Sequence, residues 1–122
     1  MTHEKSKILE AEIWQMVLNH VQDITEMKPD MNALLLLIGM REYGVIPDLG
    51  TFSKEEKVRL MDIAMCKLMS YQGYFTLVGK DENEWPVWEQ NNALPSTSSF
   101  EQETVLRKNI THYFIQEKII KL

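Results

Sequence analysis

The chain has 122 residues, 44% of them hydrophobic and 25% charged, and a formal net charge of −5. These are ordinary globular proportions, which argue against disorder, and this length makes one domain, residues 1–122, with a core of its own. The lone Cys66 excludes an intramolecular disulfide, and no apolar run reaches the roughly 18 residues of a membrane span.

The polar start, Met1-Thr2-His3-Glu4-Lys5-Ser6-Lys7, lacks the apolar stretch of a signal peptide, so a cytoplasmic chain is the expectation. The first helix is expected from about Lys5 to Met27. Leu9, Ile13, Met16, Val17, Ile24 and Met27 fall on one side of its wheel, and Glu12, Gln15, Asn19, Gln22 and Glu26 fall opposite. His20 lies within the apolar arc. Lys28-Pro29 ends this helix, because proline disfavours helical geometry in the residue before it.

Met31 to Tyr43 forms the second helix. Its middle, Ala33 to Met40, is apolar without interruption. A helix that is apolar all round must be covered on every side. About 20 Å of helix is too short for a bilayer core of about 30 Å, so the cover is protein. Asp30 suits the N-cap and Gly44 the left-handed position after the C-terminus. Gly39 costs about 1 kcal/mol of helix propensity, and the compensation expected is close approach of another helix.

Val45 to Phe52 reads as an ordered loop. Ser53 and Glu56 make a capping box for a third helix. Leu60, Met61, Ala64, Met65, Leu68 and Met69 cover one side of it. Ile63 and Cys66 sit opposite, so both faces should meet neighbours. The helix should stop near Gln72-Gly73. Tyr74-Phe75-Thr76-Leu77-Val78 then has strand composition, Gly79 to Glu84 is a polar turn, and Trp85-Pro86-Val87-Trp88 returns as a second strand. Pro86, lacking a donor, belongs at an edge. After a loop, Ser99 with Gln102 offers a capping box for a last helix running to about Lys121. Its stripe is Leu106, Ile110, Tyr113, Phe114 and Ile120, widened by Val105, Ile115 and Ile119. The expected fold class is mainly α (α+β): a four-helix compact domain with one β-hairpin between the third and fourth helices.

Catalytic and cofactor chemistry finds little footing. His3, His20 and His112 do not pair at metal-site spacing, and there is no Cys-x-x-Cys. Asp81-Glu82-Asn83 starts like a calcium loop, but Pro86 stands where that loop needs glycine and Asn92 where it needs glutamate. Cys66 reads as a structural thiol on a helix. No nucleophile elbow or phosphate-binding glycine loop occurs. Asn109-Ile110-Thr111 matches a glycosylation sequon, which carries weight only in a secreted chain. No catalytic, cofactor-binding or metal residue is therefore assigned, and no cofactor is expected.

Three functions remain. The aromatics Tyr71, Tyr74, Phe75, Trp85 and Trp88 cluster on the hairpin, and Tyr74, Phe75, Trp85 and Trp88 with Asp81, Glu82 and Glu84 form a candidate interface. The two tryptophans either cap the helical core or meet a partner. Between Lys80 and Arg107 no basic residue occurs, while Asp81, Glu82, Glu84, Glu89, Glu101 and Glu103 do, so the partner would be a basic protein or a second copy. A non-enzymatic interaction module is the leading reading. A winged-helix DNA-binding regulator is the alternative, with Lys54, Lys57, Arg59 and Lys67 on the reading helix. The long Gly44 to Phe52 link and the acidic wing tip speak against nucleic acid. A small-molecule or metal site near His20 is the third.

Overall fold

The structure is a computed structural model that describes residues 2–26, 28–44, 52–96 and 98–121, with the side chains of all of these except 2–8 and 25. Among them are four α-helices: α1 (Thr2–Thr25), α2 (Met31–Tyr43), α3 (Lys54–Met69) and α4 (Ser99–Gln116). A single 3₁₀ turn, Ser70–Gln72, extends α3, and the antiparallel strands β1 (Phe75–Lys80) and β2 (Pro86–Gln90) lie between α3 and α4. The fold is therefore mainly α with a small β-hairpin. No helix among the described residues is long and apolar enough to cross a membrane.

The central helix has the bounds its composition implies. Asp30 is its N-cap, accepting from the Ala33 N–H at 2.9 Å. Gly44 closes it with φ +91°, a left-handed conformation that glycine adopts without steric cost. Every residue from Ala33 to Met40 is buried, because α2 feeds two clusters at once. One side joins Val17 and Val21 of α1, Ala64 and Leu68 of α3, and Ile110, Tyr113 and Phe114 of α4. The other side puts Leu36 and Met40 against Leu60, Ile63 and Trp85. α3 accordingly meets neighbours on both faces, through Ala64 and Leu68 on one and Ile63 on the other.

Gly39 explains why α2 and α3 lie so close. A Cβ built there would stand 2.0 Å from the Leu60 carbonyl oxygen and 2.6 Å from its carbon. Those are backbone atoms of a packed helix, which cannot swing aside as a side chain could. The entropy that glycine costs within a helix is offset by the contact surface this approach brings together.

Helix ends depart from expectation in four places, the first being that α1 begins at Thr2 rather than at about Lys5. α1 stops at Thr25, where Glu26 turns to φ +56°; Met27 and the 45–51 stretch lie outside the described residues. The cap of α4 is Ser98, one residue earlier than expected, with its hydroxyl accepting from the Glu101 N–H at 3.1 Å. Lys121 is not helical: Lys118 takes φ +57°, and the Ile119 N–H turns back to the Phe114 carbonyl at 2.9 Å. That reversal folds Ile120 onto the core, where it is 7% exposed.

The face of α1 is also narrower than the wheel suggests. Val17 and Val21 are buried, with Ile13, Trp14 and Leu18 packed against the core, while Leu9, Met16 and Ile24 are exposed. Covered on one side alone, by α2 and α4, the helix buries only that side. On α4, Val105 is likewise exposed.

Polar groups tie the helices at three points, one of them the ion pair of Arg41 on α2 with Glu117 at the end of α4, at 3.4 Å. Asn109, buried, exchanges two hydrogen bonds with the Gln72 amide at 2.8 and 2.9 Å, which removes the sequon's acceptor nitrogen from solvent. The Tyr113 hydroxyl donates to Glu42 at 2.7 Å. Burial, then Glu42 and Glu117, push the neighbouring Tyr71 phenol up to about 12.

The Gly39–Leu60 contact yields a direct expectation. Gly39→Ala should lower unfolding free energy by about 3 kcal/mol, read from urea denaturation followed by far-UV circular dichroism. A loss below about 0.5 kcal/mol would mean that α2 and α3 do not meet backbone to backbone.

Candidate functional site

The hairpin is mounted on the helices around one buried aromatic side chain. Trp85, 6% exposed, enters the smaller cluster beside Leu36, Met40, Leu60 and Ile63. Tyr43, at the end of α2, stacks on its ring at 4.2 Å with the planes 12° apart. The Arg59 guanidinium of α3 lies 4.4 Å from the ring centre. A cation over an indole is attracted to the ring's negative face, so Trp85 is gripped between the C-terminal end of α2 and the N-terminal half of α3.

Arg59 also sets the turn. It donates to Asp81 at 2.6 Å. The other carboxylate oxygen of Asp81 accepts from the N–H groups of Asn83 at 2.8 Å and Trp85 at 3.0 Å. Such side-chain-to-backbone bonds are why aspartate nucleates turns. The Trp85 N–H, then the Arg59 guanidinium, hold the Asp81 carboxyl below its ordinary value. Glu84 takes φ +68° to close the loop.

The strands pair Phe75 with Gln90, Leu77 with Trp88, Gly79 with Val87 and Lys80 with Pro86, leaving Val78 in a bulge. Pro86 opens β2, where a strand tolerates its missing donor. The predicted interface residues therefore separate. Trp85 is core. Tyr74, Phe75 and Trp88 are half-buried, and Asp81 is bound to Arg59. Glu82 and Glu84 are exposed. The Trp88 indole nitrogen is enclosed and has no acceptor among the described residues.

The exposed apolar surface of the hairpin belongs to residues that the aromatic pattern passes over: Leu77 at 51% exposure, Val78 at 55% and Val87 at 37%. Their signal was strand composition on a sheet with only two strands. The acidic count also shrinks in three dimensions. Asp81 pairs with Arg59, Glu84 with Lys80 at 3.8 Å and Glu103 with Arg107 at 3.3 Å. Glu82, Glu89 and Glu101 have no ion pair among the described residues.

No group of three metal-ligating side chains occurs among the described residues. His20 sits edge-on to Phe114 at 6.1 Å, and His112 edge-on to Tyr71 at 4.6 Å. Burial, then Asp62, push the Cys66 thiol up, away from the thiolate form that reacts. Of the cations on the proposed reading helix, Arg59 is committed to Trp85 and Asp81, and Lys67 lies 5.6 Å from the Tyr71 ring. No family model, curated protein or solved structure matches the chain.

Asp81 gives the hairpin a pH dependence. A carboxyl held low when folded stabilises the fold fully above its unfolded value near 4, and that contribution disappears as pH falls through the lower folded value. Asp81→Asn should melt below the wild type at pH 7, and the two melting curves should converge in acid. A constant gap in melting temperature down to pH 2 would refute the ionic role.

Proposed function

We propose that this chain is a non-enzymatic protein-interaction module whose hairpin meets a partner protein of basic character. The observation that carries the reading is the exposure of three aliphatic side chains, Leu77, Val78 and Val87, on a two-stranded sheet that already has its anchor. Trp85 holds the hairpin in place without any partner, so its exposed side chains have no structural duty left to discharge. Aliphatic side chains with charge around them form the usual anatomy of a protein contact, an apolar centre with a polar rim. Here the rim is Glu82 and Glu89, with Glu84 partly neutralised by Lys80, which suits lysine and arginine on the other side.

The contact is made through side chains rather than by strand addition. The bulge at Val78 interrupts the row of donors and acceptors along β1, and Lys80 stands at its end. Bulges and edge lysines are the usual means of discouraging strand pairing. Duplex DNA is a poorer fit, because the turn that would contact the phosphates carries Glu82 and Glu84.

Selection of displayed random peptides on the immobilised protein tests this reading. The retained peptides should combine aliphatic residues with lysine or arginine. The double variant Leu77→Lys/Val87→Lys should lose at least about tenfold in affinity for them while its unfolding free energy stays within about 0.5 kcal/mol of wild type. Peptides without basic enrichment, or undiminished binding to the variant, would sink it.

A further inference from the structure

We propose that the groove between α1 and α4 seats a second copy of this chain, with α4 packing antiparallel on the partner's α4 across a two-fold axis. The groove has a volume of about 860 Å³, and its walls include Ala11 and Trp14 of α1 and Phe100, Thr104, Thr111 and Ile115 of α4. Phe100 to Ile115 spans about 22 Å of helix, which suits an elongated occupant. Phe100 is 77% exposed, an unusual state for a side chain that gains most from leaving water.

The spacing along α4 points to a helix as that occupant. Phe100, Thr104, Arg107 and Thr111 recur in steps of four, three and four, the spacing of a seam between paired helices. Arg107 is drawn aside, 5.2 Å from the Trp14 ring centre and paired with Glu103, so small threonines dominate the middle of the seam. An antiparallel pairing centred between Thr104 and Arg107 sets Phe100 over the partner's Thr111, where a small residue leaves room for the ring.

Charge identifies the occupant as the same chain. Glu101 and Lys108 lie seven residues apart on one flank of α4. Both are exposed, and neither has an ion pair among the described residues. A two-fold axis places each residue against the one it complements, and the relation is reciprocal. Glu101 then lies beside the partner's Lys108, and Lys108 beside the partner's Glu101. A flank with one negative and one positive charge at this spacing is complementary to itself. A single-signed ligand or an all-basic helix would be repelled at one of the two positions.

Sedimentation equilibrium of the full chain over a range of concentrations tests the proposal. It expects a dimer that dissociates more readily as salt is raised. Phe100→Ala, Glu101→Lys and Lys108→Glu should each raise the dissociation constant about tenfold, and the double variant E101K/K108E should recover most of the loss. All three positions are exposed, so the isolated chains should unfold cooperatively, Phe100→Ala and Lys108→Glu at the wild-type temperature and Glu101→Lys slightly lower because it removes an acid from the first turn of α4. A monomer at every concentration overturns the proposal. So does a dimer indifferent to these variants, a double variant without recovery, or a native mass carrying a small molecule that Phe100→Ala releases. The hairpin variant Leu77→Lys/Val87→Lys should leave the dimer intact, which separates this face from the one proposed for the partner protein.

Discussion

The approach of Gly39 to the Leu60 carbonyl sets the rest of the structure. With no Cβ in the way, α2 and α3 meet backbone to backbone, and α2 sinks until Ala33 to Met40 are all buried. A helix enclosed so fully must present apolar side chains in every direction. α2 does so, and it divides the interior into two clusters. The larger gathers α1, α3 and α4 around one side, and the smaller receives Trp85 on the other. A bulkier residue at position 39 would disturb both clusters.

Trp85 is the second dependent element. A lone two-stranded sheet is marginal in water, and this one is held by an indole between Tyr43 and Arg59, with the same arginine bound to Asp81. One cation thus joins α3, the turn and the tryptophan. The consequence for function is a separation of duties. The aromatic and charged residues of the turn secure the hairpin, and the aliphatics of the strands remain available to another molecule.

The order of elements was readable because the signals were local. Asp30, Gly44, Ser53 and Glu56 cap as their chemistry requires, and the unbroken run from Ala33 to Met40 announces an enclosed helix. Gly39 even implied its close neighbour. What could not be read was tertiary choice. Leu9, Met16 and Ile24 share an apolar arc with Val17, yet only two helices cover α1, so the arc is wider than the face it buries. Lys118 adopts a glycine-like conformation because Ile120 gains burial by the reversal, a trade invisible to helix periodicity. In the candidate site, clustering of Trp85 with acids was legible, but its direction was not. Arg59, far off in the chain, lies over the buried Trp85 and holds Asp81 at the surface, and strands too short to show alternation hide the exposure of Leu77, Val78 and Val87. Phe100 and its groove depend on how α1 and α4 diverge, which no single helix records.

Native-state hydrogen exchange resolved by residue would measure whether α2 is the enclosed axis on which the other elements depend. The amides of residues 35–40 should exchange only through global unfolding, with the hairpin amides of 76–80 and 87–90 opening at lower free energy. Amides of α2 that exchange as readily as those of the hairpin would show that α2 is not that axis.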